Sequence, residues 1–341
     1  MELEQNFQHL RIRGSIMKQG LVIGKFLPLH KGHEALIRFA AEQCDELIVL
    51  LGTKKNEPVP GHIRLKWLWE TFRYESSIRI EYTDDELPDS PVSSRDVSKV
   101  WAEYLAEKFP AVRLIISSEQ YGEYLAEYMG IEHKFFDIER VKVPVSGTAI
   151  RESPHRHWEF MAESARPDYV KKICIYGAES TGKSMLTGKL AGYYNTEFVP
   201  EVARDIIDAA GSGVTYDIIK QIGPSHAEMI LKKARSANRF LFVDTDVEIT
   251  RLFSDYYFQK VPEFPPWVDA ANRFDLYIFP DTDVPYVEDP QRDSEHMREI
   301  FKERLLSILD KKNSDYVIIN GDWDERFRKS IEAIEKRWPV K

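Results

Sequence analysis

Short apolar runs alternate with segments of helical period along both halves of the chain. In the first half, residues 21–26, 47–51 and 112–116 read as strands, and Leu36, Phe39 and Ala40 recur at helical spacing between the first two. Such alternation predicts a parallel sheet with helical crossovers. The second half repeats the pattern, with strands expected at 173–176, 240–243, 276–279 and 316–319 and a shorter one at 197–199. Between the halves, Pro154 and Pro167 bracket a stretch holding His155, His157 and Trp158. The expected boundary lies near Pro167, giving domains at 18–166 and 167–341. The fold class is α/β: two tandem domains, each with a mainly parallel sheet. The Pro-containing stretches 261–267 and 281–293 are expected to be surface loops, placed as lids are placed.

Composition narrows this picture. At 341 residues and 43% hydrophobic, the chain has apolar material for two cores. A net charge of −9 argues against broad nucleic-acid binding, so any phosphate is held by local groups. Two cysteines, Cys44 and Cys174, provide neither a disulfide framework nor a cysteine-rich zinc site. No apolar run is long enough to span a bilayer or form a signal-peptide core, so a cytoplasmic protein is expected. Residues 1–16 precede Met17 without a clear pattern and are given no function.

The first candidate site is the run Gly24-Lys25-Phe26-Leu27-Pro28-Leu29-His30-Lys31-Gly32-His33, between a strand and a helix. Helix N-termini offer free amides and a favourable dipole to anions. Gly24 lets a ligand approach the backbone and Gly32 keeps the helix entrance open. His30 and His33 can donate hydrogen bonds to phosphate oxygens whose charge grows during attack on an α-phosphorus. Either histidine can instead be a capping residue. Further on, Val145-Ser146-Gly147-Thr148-Ala149-Ile150-Arg151 offers hydroxyls at Ser146 and Thr148 and a planar cation at Arg151. Lys25 is a further basic candidate. Arg64 is read either as a functional cation or as a solvated helix start, and Glu119, at a strand's carboxyl end, as a ligand contact or a helix cap.

The second candidate site, Gly177-Ala178-Glu179-Ser180-Thr181-Gly182-Lys183-Ser184, fits G-x-x-x-x-G-K-[ST] between a strand and a helix, the context that a P-loop requires. Its amides can cradle phosphates, Lys183 can reach the β- and γ-phosphates, and Ser184 can ligate Mg²⁺ with Asp244. Asp244 and Asp246 end an apolar strand and share a face if that strand continues. One could serve the metal and the other orient a substrate hydroxyl, roles that the sequence does not allot, and a strand-end turn is the alternative for either one. Glu201 and Arg204 are candidates to reach the acceptor, with a surface ion pair as the alternative. Arg292 is a candidate lid arginine.

The first loop resembles the HxGH signature of the nucleotidylyltransferase superfamily, with His30, Gly32 and His33 at its positions, and 145–151 resembles that superfamily's later Ser-x-x-x-Ile-Arg motif. The order of HxGH domain, Ser-x-Thr-x-Ile-Arg element, short link and P-loop domain with Asp-Thr-Asp resembles the bifunctional nicotinamide-nucleotide adenylyltransferase and ribosylnicotinamide kinase family, the NadR type. Residues 118–123 and 148–160, with Trp158, add to the likeness. The resemblance implies a Rossmann-like adenylyltransferase domain and a P-loop kinase domain. It also implies ATP, nicotinamide riboside and nicotinamide mononucleotide (NMN) as substrates, with Mg²⁺ as cofactor. Two departures stand out. Only about 20 residues precede the first strand, too few for the helix-turn-helix repressor domain of some members, and the lid reads Asp289-Pro290-Gln291-Arg292 where the family commonly has Asp-Gly-x-Arg. Other readings are a tandem enzyme for another cofactor precursor, such as a pantetheine or flavin precursor, and a nucleotide sensor. No nucleic-acid or membrane partner is expected, and oligomeric state is left open, a homo-oligomer included. Trp67, Trp69, Trp101 and Tyr121 are available to stack on a pyridine ring.

Overall fold

The computed structural model describes residues 17–90, 92–211, 213–286 and 295–340. The chain divides into two compact units between Ala165 and Arg166.

The first unit is built on a five-stranded sheet of β1 (Gln19–Gly24), β2 (Glu46–Gly52), β3 (Ile78–Thr83), β4 (Val112–Ser117) and β5 (Glu132–Phe135). All strands are parallel, in the order β3-β2-β1-β4-β5. The central strands are apolar because both their faces are covered: Leu21, Ile48, Leu50 and Ile115 are fully buried and pack with Ala102, Leu105 and Leu125. Those three side chains come from α3 (Arg95–Lys108) and α4 (Tyr121–Met129). Helix α1 (Lys31–Ala41) buries Leu36, Ile37 and Ala40, and burial of each larger side chain contributes about 1.5–3 kcal/mol. The remaining helices are α2 (Gly61–Phe72) and α5 (Gly147–Glu152).

The second unit has strands β6 (Lys171–Ile175), β7 (Phe198–Val199), β8 (Phe240–Asp244), β9 (Leu276–Pro280) and β10 (Tyr316–Ile319), parallel in the order β10-β9-β6-β8-β7. Its helices are α6 (Lys183–Tyr194), α7 (Ala203–Ala210), α8 (Tyr216–Ala234), α9 (Val247–Phe258), α10 (Pro266–Ala271), α11 (Glu295–Lys311) and α12 (Trp323–Arg337). Ile173, Ile175, Phe240, Phe242 and Ile278 meet Leu186, Leu190 and Ile334 in one core.

In both units the strand preceding the phosphate loop is central, and the strand order reverses beside it. This switch point is where open α/β sheets hold ligands. Three details differ from expectation. β3 and β5 are edge strands whose charged residues, Arg79 and Glu81 in one and Glu132 and Lys134 in the other, conceal them from a search for apolar runs. β1 ends at Gly24, with Phe26 at φ +47° outside it. The Pro-rich stretch from 261 is a loop only as far as Pro265, because Pro266 occupies the first turn of α10, where its missing N–H costs nothing.

Candidate active sites

The HxGH loop lines a cavity of about 450 Å³ in the first unit. His30 is the N-cap of α1: its Nδ1 accepts from the amides of Gly32 at 3.1 Å and His33 at 3.4 Å. Because Nδ1 is an acceptor, the proton of the neutral ring sits on Nε2, which is left as a donor. The capping and ligand-binding readings thus apply to one ring at once. Gly32 is required by that cap, since a Cβ there would lie 2.9 Å from the His30 ring. A Cβ at Gly24 would meet the Phe26 ring at 3.1 Å, so that glycine makes room for Phe26. The His30 and His33 rings stack with centroids 3.7 Å apart, and Phe26, 1% exposed, meets His33 edge-on at 5.1 Å.

Burial, aided by the positive charges of Arg140 and Arg151, lowers the His30 pKa to about 4. His33 is pushed well below its usual value by burial, by His30 and by the same arginines. Both rings are neutral at pH 7. The Nδ1 of His33 is buried without a hydrogen-bonded partner, and its ring lines the cavity.

Ser146 caps α5 by accepting from the Ala149 amide at 3.1 Å. Arg151 donates to the Leu27 carbonyl at 2.7 Å and to the Thr148 hydroxyl at 2.9 Å, so the later motif is fastened to the HxGH loop. The segment holding Trp158 also braces that loop: the Ala162 amide donates to Leu29 at 3.1 Å, and Met161 bridges to His30. Ser146, Thr148, Arg151, Lys25 and Glu119 all line the cavity. Lys25 pairs with Asp89.

Arg64 corrects both readings made from sequence. It is fully buried, donates to the Lys25 carbonyl at 2.7 Å and pairs with Glu57, so it supports the loop from behind and is absent from the cavity wall. Arg140, which sequence reasoning passed over, lines the cavity and lies 3.4 Å from Glu119. It stands in an irregular loop after β5 with no motif to mark it. Of the four aromatic candidates, Trp101 and Tyr121 line the cavity, Trp67 is buried in the core and Trp69 is exposed.

In the second unit, the P-loop borders a cavity of about 1170 Å³, with Gly177, Glu179, Ser180, Gly182, Lys183 and Ser184 on its wall. Gly182 has φ +81°, and a Cβ there would strike the Trp323 ring at 2.2 Å, so only glycine fits. Lys183 donates to the Ala178 carbonyl at 2.9 Å. The Thr181 side chain is buried, 1% exposed, and braces the loop from behind the cavity wall by donating its hydroxyl to the Ala178 carbonyl at 2.8 Å.

The two aspartates separate. β8 ends at Asp244 and Thr245 turns at φ +69°, so the alternation that would place both on one face is broken. Asp244 faces the cavity, 1% exposed, with neither carboxylate oxygen hydrogen-bonded. Burial raises its pKa to about 6, against the lowering pull of the Lys183 and Arg204 charges. Asp246 instead caps α9, accepting from Glu248 at 2.9 Å and Ile249 at 3.2 Å, with the Tyr277 hydroxyl at 3.3 Å. Burial and the nearby Glu248 raise its pKa to about 7. Asp246 is a structural cap outside the cavity wall, which corrects its assignment to the chemistry. Glu201 and Arg204 both border the cavity near enough to act on Asp244. Arg292 lies outside the described residues.

An orphaned, buried carboxylate beside a P-loop serine suits a hard divalent cation that takes its other ligands from phosphates and water. Among the described residues no cluster of three or more His, Cys, Asp or Glu forms a metal cage, and no helix is long and apolar enough to cross a membrane.

Fold and sites together define a tandem nucleotide-handling α/β protein, a nucleotidylyltransferase unit followed by a P-loop unit. Residues 21–153 match the cytidylyltransferase-like family and residues 172–326 the AAA domain family. The chain is 33% identical to the trifunctional NAD biosynthesis/regulator protein NadR of Escherichia coli (strain K12), over 93% of this chain and 82% of that protein. Its first unit is similar to the nicotinamide-nucleotide adenylyltransferase of Aeropyrum pernix, at 29% identity over 46% of this chain and 92% of the relative. A crystal structure of a NadR protein in complex with NR has the same fold, with TM-score 0.77 at 24% identity, covering 95% of this chain and 97% of that one. The chain belongs to the NadR family.

Proposed function

We propose that this chain makes NAD from nicotinamide riboside in two steps. The second unit transfers the γ-phosphoryl group of ATP to the riboside 5′-hydroxyl, giving NMN. The first unit then joins NMN to the AMP moiety of a second ATP, releasing pyrophosphate. The observation that carries this reading is one chain with both phosphate loops in their full strand–loop–helix settings, belonging over 93% of its length to a family named for NAD biosynthesis.

In the first unit, the NMN phosphate is the nucleophile and the ATP α-phosphorus the electrophile. The neutral His30 ring, with Nε2–H free, donates to the oxygen on which charge develops, and Arg140 and Arg151 hold the flanking phosphates. His33 works beside it, fixed by the stack on His30 and the edge of Phe26. Trp101, anchored through its Nε1–H to the Pro88 carbonyl at 2.9 Å, is the aromatic wall for the pyridine ring.

In the second unit, the P-loop amides and Lys183 hold the ATP phosphates. Ser184 and Asp244 would hold Mg²⁺, which when bound neutralises phosphate charge. Glu201 and Arg204, at the cavity rim beside Asp244, orient the acceptor. The substrates are small molecules from the cytosolic pool, with no role for nucleic acid or membrane.

Purified protein given ATP and Mg²⁺ should form NAD both from nicotinamide riboside and from NMN. Product from NMN alone would leave the kinase acceptor open to another precursor, and saturable binding without turnover would favour a sensor.

A further inference from the structure

The P-loop backbone is held from outside the cavity by two buried arginines. Arg326 on α12 is 1% exposed; it donates to the Thr181 carbonyl at 3.0 Å, the Gly321 carbonyl at 2.8 Å and the Asp281 carbonyl at 2.9 Å, and it pairs with Asp283. Arg298 on α11 is 5% exposed and donates to the Ser180 carbonyl at 3.3 Å and the Val284 carbonyl at 2.9 Å. Neither lines the cavity.

In a trans peptide the carbonyl of one residue and the N–H of the next point in opposite directions. An arginine that holds the Ser180 carbonyl outward therefore turns the Thr181 amide inward, and one that holds the Thr181 carbonyl outward does the same for the Gly182 amide. These peptides lie between Ser180 at φ +58°, a left-handed conformation that costs a non-glycine residue energy, and Gly182 at φ +81°. Successive inward amides of this kind form an anion-binding concavity.

We infer that Arg298 and Arg326 are positioning residues for phosphoryl transfer: they orient the Thr181 and Gly182 amides toward the ATP phosphates without touching the nucleotide. The role of Arg326 needs a guanidinium, whose Nε, Nη1 and Nη2 donate to three separate carbonyls from three separate nitrogens, whereas an ammonium gathers all its donors on one nitrogen. The inference rests on the kinase reading of this cavity.

The test is the steady-state kinetics of ADP release by the full chain, with ATP and nicotinamide riboside varied in turn, for Arg326→Lys, Arg326→Met and Arg298→Met. ADP comes only from the kinase step, since adenylyl transfer releases pyrophosphate. Loss of one charge-assisted bond to a loop amide's carbonyl should raise the KM for ATP about tenfold or more in all three, with the riboside KM within about twofold and NAD formation from NMN intact. Arg326→Lys should not rescue. ATP kinetics like wild type in the folded variants, full rescue by lysine, or equal rises in both KM values would each overturn the inference. If the Arg326 variants do not fold, Arg298→Met alone decides it. Wild-type protein that fails to phosphorylate the riboside would sink the kinase reading and this inference together; wild-type turnover with unchanged variants would sink only the inference.

Discussion

His30 carries a structural and a chemical role on opposite nitrogens, and substitution can separate them. His30→Ala removes the N-cap of α1, a loss of about 1 kcal/mol. It also removes the ring stacked on His33 at 3.7 Å, adding an aromatic-pair loss of about 1 kcal/mol. A total near 2 kcal/mol lowers the melting temperature of a unit this size by roughly 4–8 °C. His30→Asn supplies another good N-cap, so about half of that loss should return. Neither variant restores a donor where Nε2–H stood, and losing one such donor to developing phosphate charge slows transfer about 100-fold. The assay is pyrophosphate release from NMN and ATP, read beside the thermal transition and beside ADP release from ATP with the riboside as acceptor, which serves as an internal control. Asparagine should recover stability while transfer stays about 100-fold down. Transfer by His30→Asn within a fewfold of wild type would refute the donor role, and an unchanged melting temperature in His30→Ala would refute the cap.

His33→Ala should abolish adenylyl transfer and leave kinase activity, with Lys183→Ala doing the reverse; loss of both activities in either folded variant would contradict two independent sites. Asp244→Asn should cost the kinase at least about 100-fold. Asp246→Asn keeps an N-cap and removes a buried charge, so kinase rates should stay within a fewfold and the melting temperature at pH 8 should rise; a kinase-dead Asp246→Asn would restore that residue to the chemistry. Acid should weaken the first unit. His30 is neutral in the fold down to about pH 4, whereas the unfolded chain takes up its proton near 6.5. The contribution is present above 6.5 and lost as pH falls from 6.5 toward 4, by about 3 kcal/mol. Denaturant unfolding at pH 7 and pH 5 should show a gap that narrows in His30→Asn, and an equal gap in both proteins would count against the cause.

What was legible in the sequence was what is local along it. Each phosphate loop is a strand, a turn and a helix start within about ten residues, and the residue types needed to build an anion site must appear there in order. The central strands were legible for a related reason, because burial on both faces forces an unbroken apolar run. The edge strands β3 and β5 bury less and carry charges, so their runs are interrupted. Arg64 was misread because its partners lie elsewhere: the Lys25 carbonyl is 39 residues away, and only the fold shows that the guanidinium is inside. Asp246 was misread for a subtler reason. Extending strand alternation past Asp244 assumed a backbone conformation that Thr245 breaks in a single residue.

The same division separates the groups that contact phosphate from the groups that aim them. Lys183 and Ser184 belong to the loop motif, whereas Arg326 meets Thr181 across 145 residues and Arg298 meets Ser180 across 118. A loop motif specifies which amides are available but leaves their direction undetermined, because a peptide plane flips at small cost when its carbonyl has no fixed partner. Directing those planes requires rigid donors outside the loop, and buried helix arginines supply them. A chain with an intact G-x-x-x-x-G-K-[ST] run can therefore lose phosphate affinity through a substitution more than a hundred residues away. In this protein, the residues at which to look for that effect are Arg298 and Arg326.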